Sequence, residues 1–304
     1  MRISRRSLLV GTAASLWAQD SKFSTDVNVV TLLATVHDRD GRVVKNLTRE
    51  DFVLQDDGAP QTISYFAAES DLPLTIGLLV DTSRSQTDVL EPERQASSVF
   101  LDQVLREDMD MAFVVQFNTR VELVQGFTSS RQELAAALNR LRIPGVAATL
   151  LYEAVRQISE ILMRPQQGRK AFILLSDGVS FRDQTSIGTA IEYAQRADTI
   201  IYSILFAEGI KLYRPGFASR AIAHQHGKGV MQRLARETGG AYFEVSNNNP
   251  IEKVYAEIED ALRNQYSIGY APQSAAQPGQ YHKIKLTTKQ PGLMVQTRDG
   301  YYSK

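Results

Sequence analysis

Leu74 to Val80, LTIGLLV, is an apolar run of strand length in which Thr75 alone is polar, so neither face can be turned to water. A strand buried on both faces belongs in a parallel sheet covered by helices. The run ends in Asp81-Thr82-Ser83-Arg84-Ser85, where one carboxylate and two hydroxyls alternate just past the strand's carboxyl end. Open α/β sheets hold their ligands at that end. A chain leaving a strand in a curved loop can aim residues i, i+2 and i+4 at one point. Three oxygen donors so aimed suit a hard divalent cation such as Mg²⁺. The simpler reading of the same residues is a helix-capping loop rich in serine and threonine.

Two later segments complete the pattern. Thr149 follows Ala147-Ala148 where a loop enters a helix with apolar spacing, and Ala171 to Leu175 is a second buried-strand run that ends in Ser176-Asp177-Gly178. In order, spacing and context, Asp81, Ser83, Ser85, Thr149 and Asp177 resemble the metal-ion-dependent adhesion site of the von Willebrand factor type A family. The resemblance covers roughly residues 72–264. It implies a doubly wound, mostly parallel α/β sheet. It also implies that Ser83, Ser85 and often Thr149 touch the cation directly, with Asp81 and Asp177 acting largely through water. Arg84 occupies a variable position of the motif, and Ala147 and Ala148 stand where small residues are usual.

The flanks have another character. Residues 26–70 are strand-like, from Val27–Val36 through turns at His37–Arg42 and Asp56-Asp57-Gly58 to Ile63–Phe66, with Thr48 opening a short helical turn. Asp38-Arg39-Asp40-Gly41 begins like a calcium loop but lacks its later ligands, so it reads as a hairpin turn. Residues 265–304 return to strands at Tyr266–Tyr270, Tyr281–Thr288 and Leu293–Arg298. Two separate small sheets would leave exposed edges, so the flanks are expected to pair into one small all-β, sandwich-like unit with the α/β domain inserted. Ahead of both, residues 1–20 have a basic start (Arg2, Arg5, Arg6), a short apolar stretch and small residues, and resemble a twin-arginine export signal; an ordinary secretion signal is the alternative. The flanks look like those of exported bacterial proteins that carry a related A-type domain.

Within residues 72–264 strands and helices alternate. Helices are expected at Glu91–Leu105, with Ala96, Val99, Phe100, Val104 and Leu105 inward, then at Arg131–Leu141, from Thr149 to Leu162, at Ser186–Arg196 and at Pro250–Arg263. Strands are expected at Met111–Phe117, Arg120–Gln125, Lys170–Leu175, Thr199–Phe206 and Tyr242–Val245. Ala207 to Gly229 reads as an irregular basic insertion suited to a partner-binding rim. His224 and His226 within it have no third ligand in view.

Composition removes several function classes. The 304 residues carry 34 basic and 34 acidic side chains, so there is no basic excess of the kind nucleic-acid binders show. Cysteine is absent, which excludes disulfides, zinc thiolates and thiol nucleophiles. No G-x-S-x-G elbow occurs, and no histidine lies near the motif in sequence.

The reading is of an exported, non-enzymatic binding module, periplasmic or extracellular, without a membrane span apart from the N-terminal signal. It would hold Mg²⁺, or Mn²⁺ or Ca²⁺ in its place, and capture an Asp or Glu carboxylate of a partner protein. A scaffold with a non-functional metal site and a metal-dependent hydrolase are the alternatives. In some relatives ligand binding shifts the last helix, and here that helix leads directly into the β unit.

Overall fold

The computed structural model describes residues 29–68, 72–144, 148–206, 217–272 and 277–303. The export signal read at residues 1–20 lies outside them. The N-terminal flank supplies β1 (Val30–His37), β2 (Phe52–Asp56), β3 (Ala59–Gln61) and β4 (Tyr65–Ala68).

The central sheet follows with β5 (Leu74–Asp81), β6 (Met111–Phe117), β7 (Val121–Thr128), β8 (Arg169–Leu175), β9 (Ile200–Phe206) and β10 (Tyr242–Val245), ordered β10-β9-β8-β5-β6-β7. All pairs are parallel except β6 with β7. All eight residues of β5 are buried, as its unbroken apolar run requires. The chain leaves β5 toward β6 on one side and later returns to β8 on the other, so the order reverses at β5 and a crevice opens beyond its carboxyl end.

Helices cover both faces. α1 (Leu90–Val104), α2 (Arg131–Arg140) and α6 (Ile251–Arg263) pack a core with Leu78, Val80, Val114 and Ile173. On the opposite face, α3 (Leu151–Ile158), α4 (Ile187–Arg196) and α5 (Phe217–Thr238) enclose Leu79, Val115, Phe172 and Leu174. α3 continues as one π-helical turn, Ser159–Met163.

The C-terminal flank adds β11 (Tyr266–Tyr270), β12 (Tyr281–Thr288), β13 (Met294–Gln296) and β14 (Gly300–Tyr302). The flanks interleave in two four-stranded sheets, β13-β1-β11-β4 and β14-β12-β2-β3, around a shared core that includes Leu32, Phe52, Ile268 and Leu286. Tyr266 ties this core together: its ring meets Phe52 edge-on at 5.3 Å, and its hydroxyl donates to Val44 O at 2.7 Å.

Three expectations need correction. The insertion at 207–229 is not irregular where it is described: from Phe217 it is helix, and His224 and His226 lie on α5. Val99 faces water, 51% exposed, because the buried stripe of α1 runs through Glu93, Ser97, Phe100, Leu101 and Val104. A last strand, β14, follows the pair expected near the C-terminus.

Candidate functional site

Asp81 closes β5 level with Phe117 of β6, and Val80 lies level with Leu175 of β8. The residues just after three adjacent strands therefore meet in the crevice: Asp81 to Ser85, Asn118, and Ser176-Asp177. Asp81 is fully buried, and both its carboxylate oxygens are engaged. Ser83 N–H donates to Oδ1 at 2.8 Å, and the Ser176 hydroxyl donates to Oδ2 at 2.7 Å. That curl brings the Ser83 and Ser85 hydroxyls within 2.9 Å of each other, with Ser85 exposed. The alternate spacing thus produces convergence.

Thr149 reaches the same crevice by backbone pairing. It exchanges N–H···O bonds with Phe181, both at 3.0 Å, and the next residue, Leu150, donates its N–H to Asn118 O at 3.0 Å. Asn118 in turn donates from its side chain to the Thr82 hydroxyl at 2.7 Å, so one asparagine links the Asp81 loop to the Thr149 loop. Asp177 is only partly buried, and its Oδ1 accepts from Val179 N at 2.9 Å.

Four supporting residues were not visible from sequence. Ser176 orients Asp81, and Asn118 joins the loops. Asp183 receives the first free N–H groups of α3, Tyr152 N at 2.8 Å and Glu153 N at 3.1 Å, together with the Ser180 hydroxyl at 3.1 Å. It fixes the helix whose entry carries Thr149. Asp183→Ala should lower stability by about 1–2 kcal/mol and weaken cation uptake together, with Asp183→Asn recovering part of both; urea midpoints and a metal titration on the same samples check this. The fourth is Glu93 of α1, 1% exposed, with no hydrogen bond to either carboxylate oxygen.

Glycines set the distance between this loop and α5. Gly178 takes φ +74°, and a Cβ there would meet Gly227 O at 2.2 Å; a Cβ on Gly227 would meet Asp177 O at 2.1 Å. Backbone touches backbone at that point, and Asp177 is placed by α5 as much as by β8.

The electrostatics call for positive charge. Burial, and then the Asp177 carboxylate, push the Asp81 carboxyl up to about 7. Burial, with Asp81 and Asp177 adding to it, pushes Glu93 well above the usual carboxylate range. No basic side chain is hydrogen-bonded to either group among the described residues. Buried like charges beside neutral hydroxyls are the donor set of a hard cation, so the residues present fit a metal ion held by oxygens.

The sequence profile of the von Willebrand factor type A domain matches residues 75–257, more than half of the chain. The chain belongs to that family. No curated protein matches the sequence. Among solved structures it is similar to proximal thread matrix protein 1 from the mussel byssus in a form with a zinc-occupied metal-ion-dependent adhesion motif. That likeness has a TM-score of 0.53 at 14% identity, over 69% of this chain and 50% of that one. The chain therefore spans about half the length of that protein. It is also similar to a von Willebrand factor type A protein from Catenulispora acidiphila (TM-score 0.49, 11% identity, 93% and 76% covered). A third is the von Willebrand factor domain of the type V pilus-tip protein Mfa5 from Porphyromonas gingivalis (TM-score 0.49, 12% identity, 64% and 96% covered). At such identities the likeness concerns the fold. The match thus begins one residue into β5 and ends within α6, and the two-sheet unit lies outside it.

Proposed function

We propose that this chain is an exported, non-enzymatic binding module that holds Mg²⁺ at Ser83, Ser85 and Thr149, backed by Asp81 and Asp177, and captures a partner's Asp or Glu carboxylate through the ion. The observation that carries this reading is the engagement of Asp81. Both of its oxygens are already occupied by Ser83 N–H and the Ser176 hydroxyl, so the Ser83–Ser85 hydroxyl pair is left to face the ligand.

Neutral hydroxyl ligands leave a divalent ion short of negative charge. A carboxylate arriving from outside is then the favoured partner for an open position, since Mg²⁺ prefers hard oxygen donors and is often held by only one or two carboxylates. The A-type fold in a chain with no histidine near the motif in sequence supports binding over hydrolysis, and the basic, short-apolar N-terminal segment supports export.

Water-proton relaxation by Mn²⁺ bound to the chain tests the carboxylate step. A millimolar peptide bearing a single Glu should displace coordinated water and lower the relaxivity, its Gln counterpart should not, and EDTA should abolish the signal from the protein. Equal effects of the two peptides would remove carboxylate capture from the reading.

A further inference from the structure

Outside the A-type domain, the two-sheet unit contains a second group of metal-ligating side chains. Asp56 ends β2, Asp57 opens the turn to β3, and His282 lies on the neighbouring strand β12. One ligand atom from each lies within 4.8 Å of the others. His282 Nδ1 stands 2.9 Å from Asp57 Oδ2 and 3.7 Å from Asp56 Oδ1. Asp56 and His282 are each 6% exposed, so this is an interior arrangement opened to solvent on one side by Asp57, whose side chain is 51% exposed.

The hydrogen bonding around it is lopsided. Asp56 Oδ2 accepts from two tyrosine hydroxyls, Tyr270 at 2.9 Å and Tyr301 at 3.0 Å. Asp56 Oδ1, in the same buried carboxylate, accepts none and is directed at His282 Nδ1. Asp57 is held as firmly: its Oδ1 accepts from Lys283 N at 2.8 Å, and its backbone sits at φ +49°. His282 is stacked on Tyr301, ring centroids 5.1 Å apart, which fixes the imidazole plane. Asp56 and Asp57 are therefore each oriented by a second hydrogen-bonding partner, the way outer residues orient the ligands of metal centres, while the His282 ring is held by stacking and its Nε2 makes no hydrogen bond among the described residues.

We infer that Asp56, Asp57 and His282 form a second cation site, for a divalent transition ion of the Zn²⁺ or Co²⁺ class. With bonds of about 2.0–2.2 Å, tetrahedral ligand atoms stand roughly 3.3–3.6 Å apart. The two separations at Nδ1, 2.9 and 3.7 Å, bracket that range, so opening the Asp57 side by about 0.4 Å with a slight contraction of the Asp56 side seats an ion, with water at the remaining position. Two carboxylates and a neutral imidazole balance a 2+ charge. The mixed nitrogen and oxygen donors favour a borderline ion over Mg²⁺, which distinguishes this site from the all-oxygen one.

The competing description is a buried imidazolium between two aspartates, and metal titration separates the two. The full chain carrying Asp81→Ala, which disables the first site, should bind one equivalent of Co²⁺ with the visible absorption of a low-symmetry complex, displaced by Zn²⁺. Adding His282→Gln should weaken that binding at least 100-fold. Asp57→Asn should do so as well. Because Asn tolerates the left-handed backbone well and Asp57 is half exposed, that second variant keeps the fold if the His282 variant does not. Absence of Co²⁺ binding to the Asp81→Ala chain, or binding unchanged in both variants, would leave only the ion pair and overturn the proposal.

Discussion

Asp81→Ala should weaken cation uptake at the A-type site by about two orders of magnitude. In calorimetric titration the chelator-stripped chain should take up one equivalent of Mg²⁺ or Mn²⁺, and the variant should bind roughly 100-fold more weakly. The size follows from what the carboxylate does. It curls the loop by accepting Ser83 N–H, fixes Ser176, and supplies buried negative charge to which no basic side chain bonds among the described residues. Because the carboxyl is held up to about 7, a proton competes with the metal. Uptake should therefore weaken by about tenfold per pH unit below that value, and Asp81→Asn, which keeps the loop geometry, should lose the dependence. The stability of the metal-free protein has the opposite slope. A carboxyl whose folded value lies above its unfolded 3.8 stabilises fully below 3.8, and that contribution is lost as pH rises toward about 7. Mg²⁺ should restore stability in the upper part of that window. A variant that takes up Mg²⁺ like the parent would show that the ion, if it binds, sits elsewhere.

The parts of the site legible in the sequence are those fixed by local chain geometry. Alternate residues after a strand converge when the loop curls, and the Ser83–Ser85 pair at 2.9 Å is the outcome. Buried strands were readable because β5 and β8 carry no polar face to confuse the period. What was hidden depends on contacts between distant segments. α5 was unreadable because Gly227 and Gly229 break a helical pattern on propensity grounds. Gly227 is nonetheless required there, since any side chain would strike Asp177 O. A residue that looks like a helix breaker is the residue that lets the helix touch the site.

The same logic explains the one misplaced residue on the inner face of α1, where Ala96, Phe100, Val104 and, just past its end, Leu105 are buried as expected. Apolar spacing put Val99 inward, whereas the true stripe contains two polar residues. Ser97 is there because it bonds the Tyr255 hydroxyl of α6 at 2.7 Å. Pairing across helices leaves no mark in the sequence of either. β14 escaped for a simpler reason: at three residues it is shorter than any periodic signal, and it is held by pairing with β12. The Asp56–Asp57–His282 group likewise spans more than 220 positions of the chain and exists only because β2 and β12 are neighbours.

The second polar residue of that stripe should show the largest stability effect. Glu93 is buried, has no hydrogen-bond partner among the described residues, and is held well above the usual carboxylate range by burial and by the Asp81 and Asp177 charges. Replacing it with Met, of similar length and without the carboxyl, should stabilise the metal-free protein. Near pH 4.5 the gain should be about 1–3 kcal/mol, the cost of an unpaired buried polar group. Above that pH the unfolded chain ionises Glu93 while the folded one keeps its proton. The glutamate's contribution is then lost at about 1.4 kcal/mol per pH unit, and the advantage of Met grows at that rate until the folded carboxyl itself titrates. A divalent ion between Asp81 and Asp177 would favour the ionised glutamate, so the advantage should shrink in Mg²⁺. Urea midpoints of parent and Glu93→Met at pH 5 and pH 8, each with EDTA and with Mg²⁺, check all three statements. An advantage of Met over the parent that is no larger at pH 8 than at pH 5 would mean that Glu93 has a partner in solution. An unpaired acid held at a cost in stability on the helix beside the proposed cation site would then have a physical reason: its charge would be tolerated only with an ion bound, which would couple the packing of α1 to occupancy of the site.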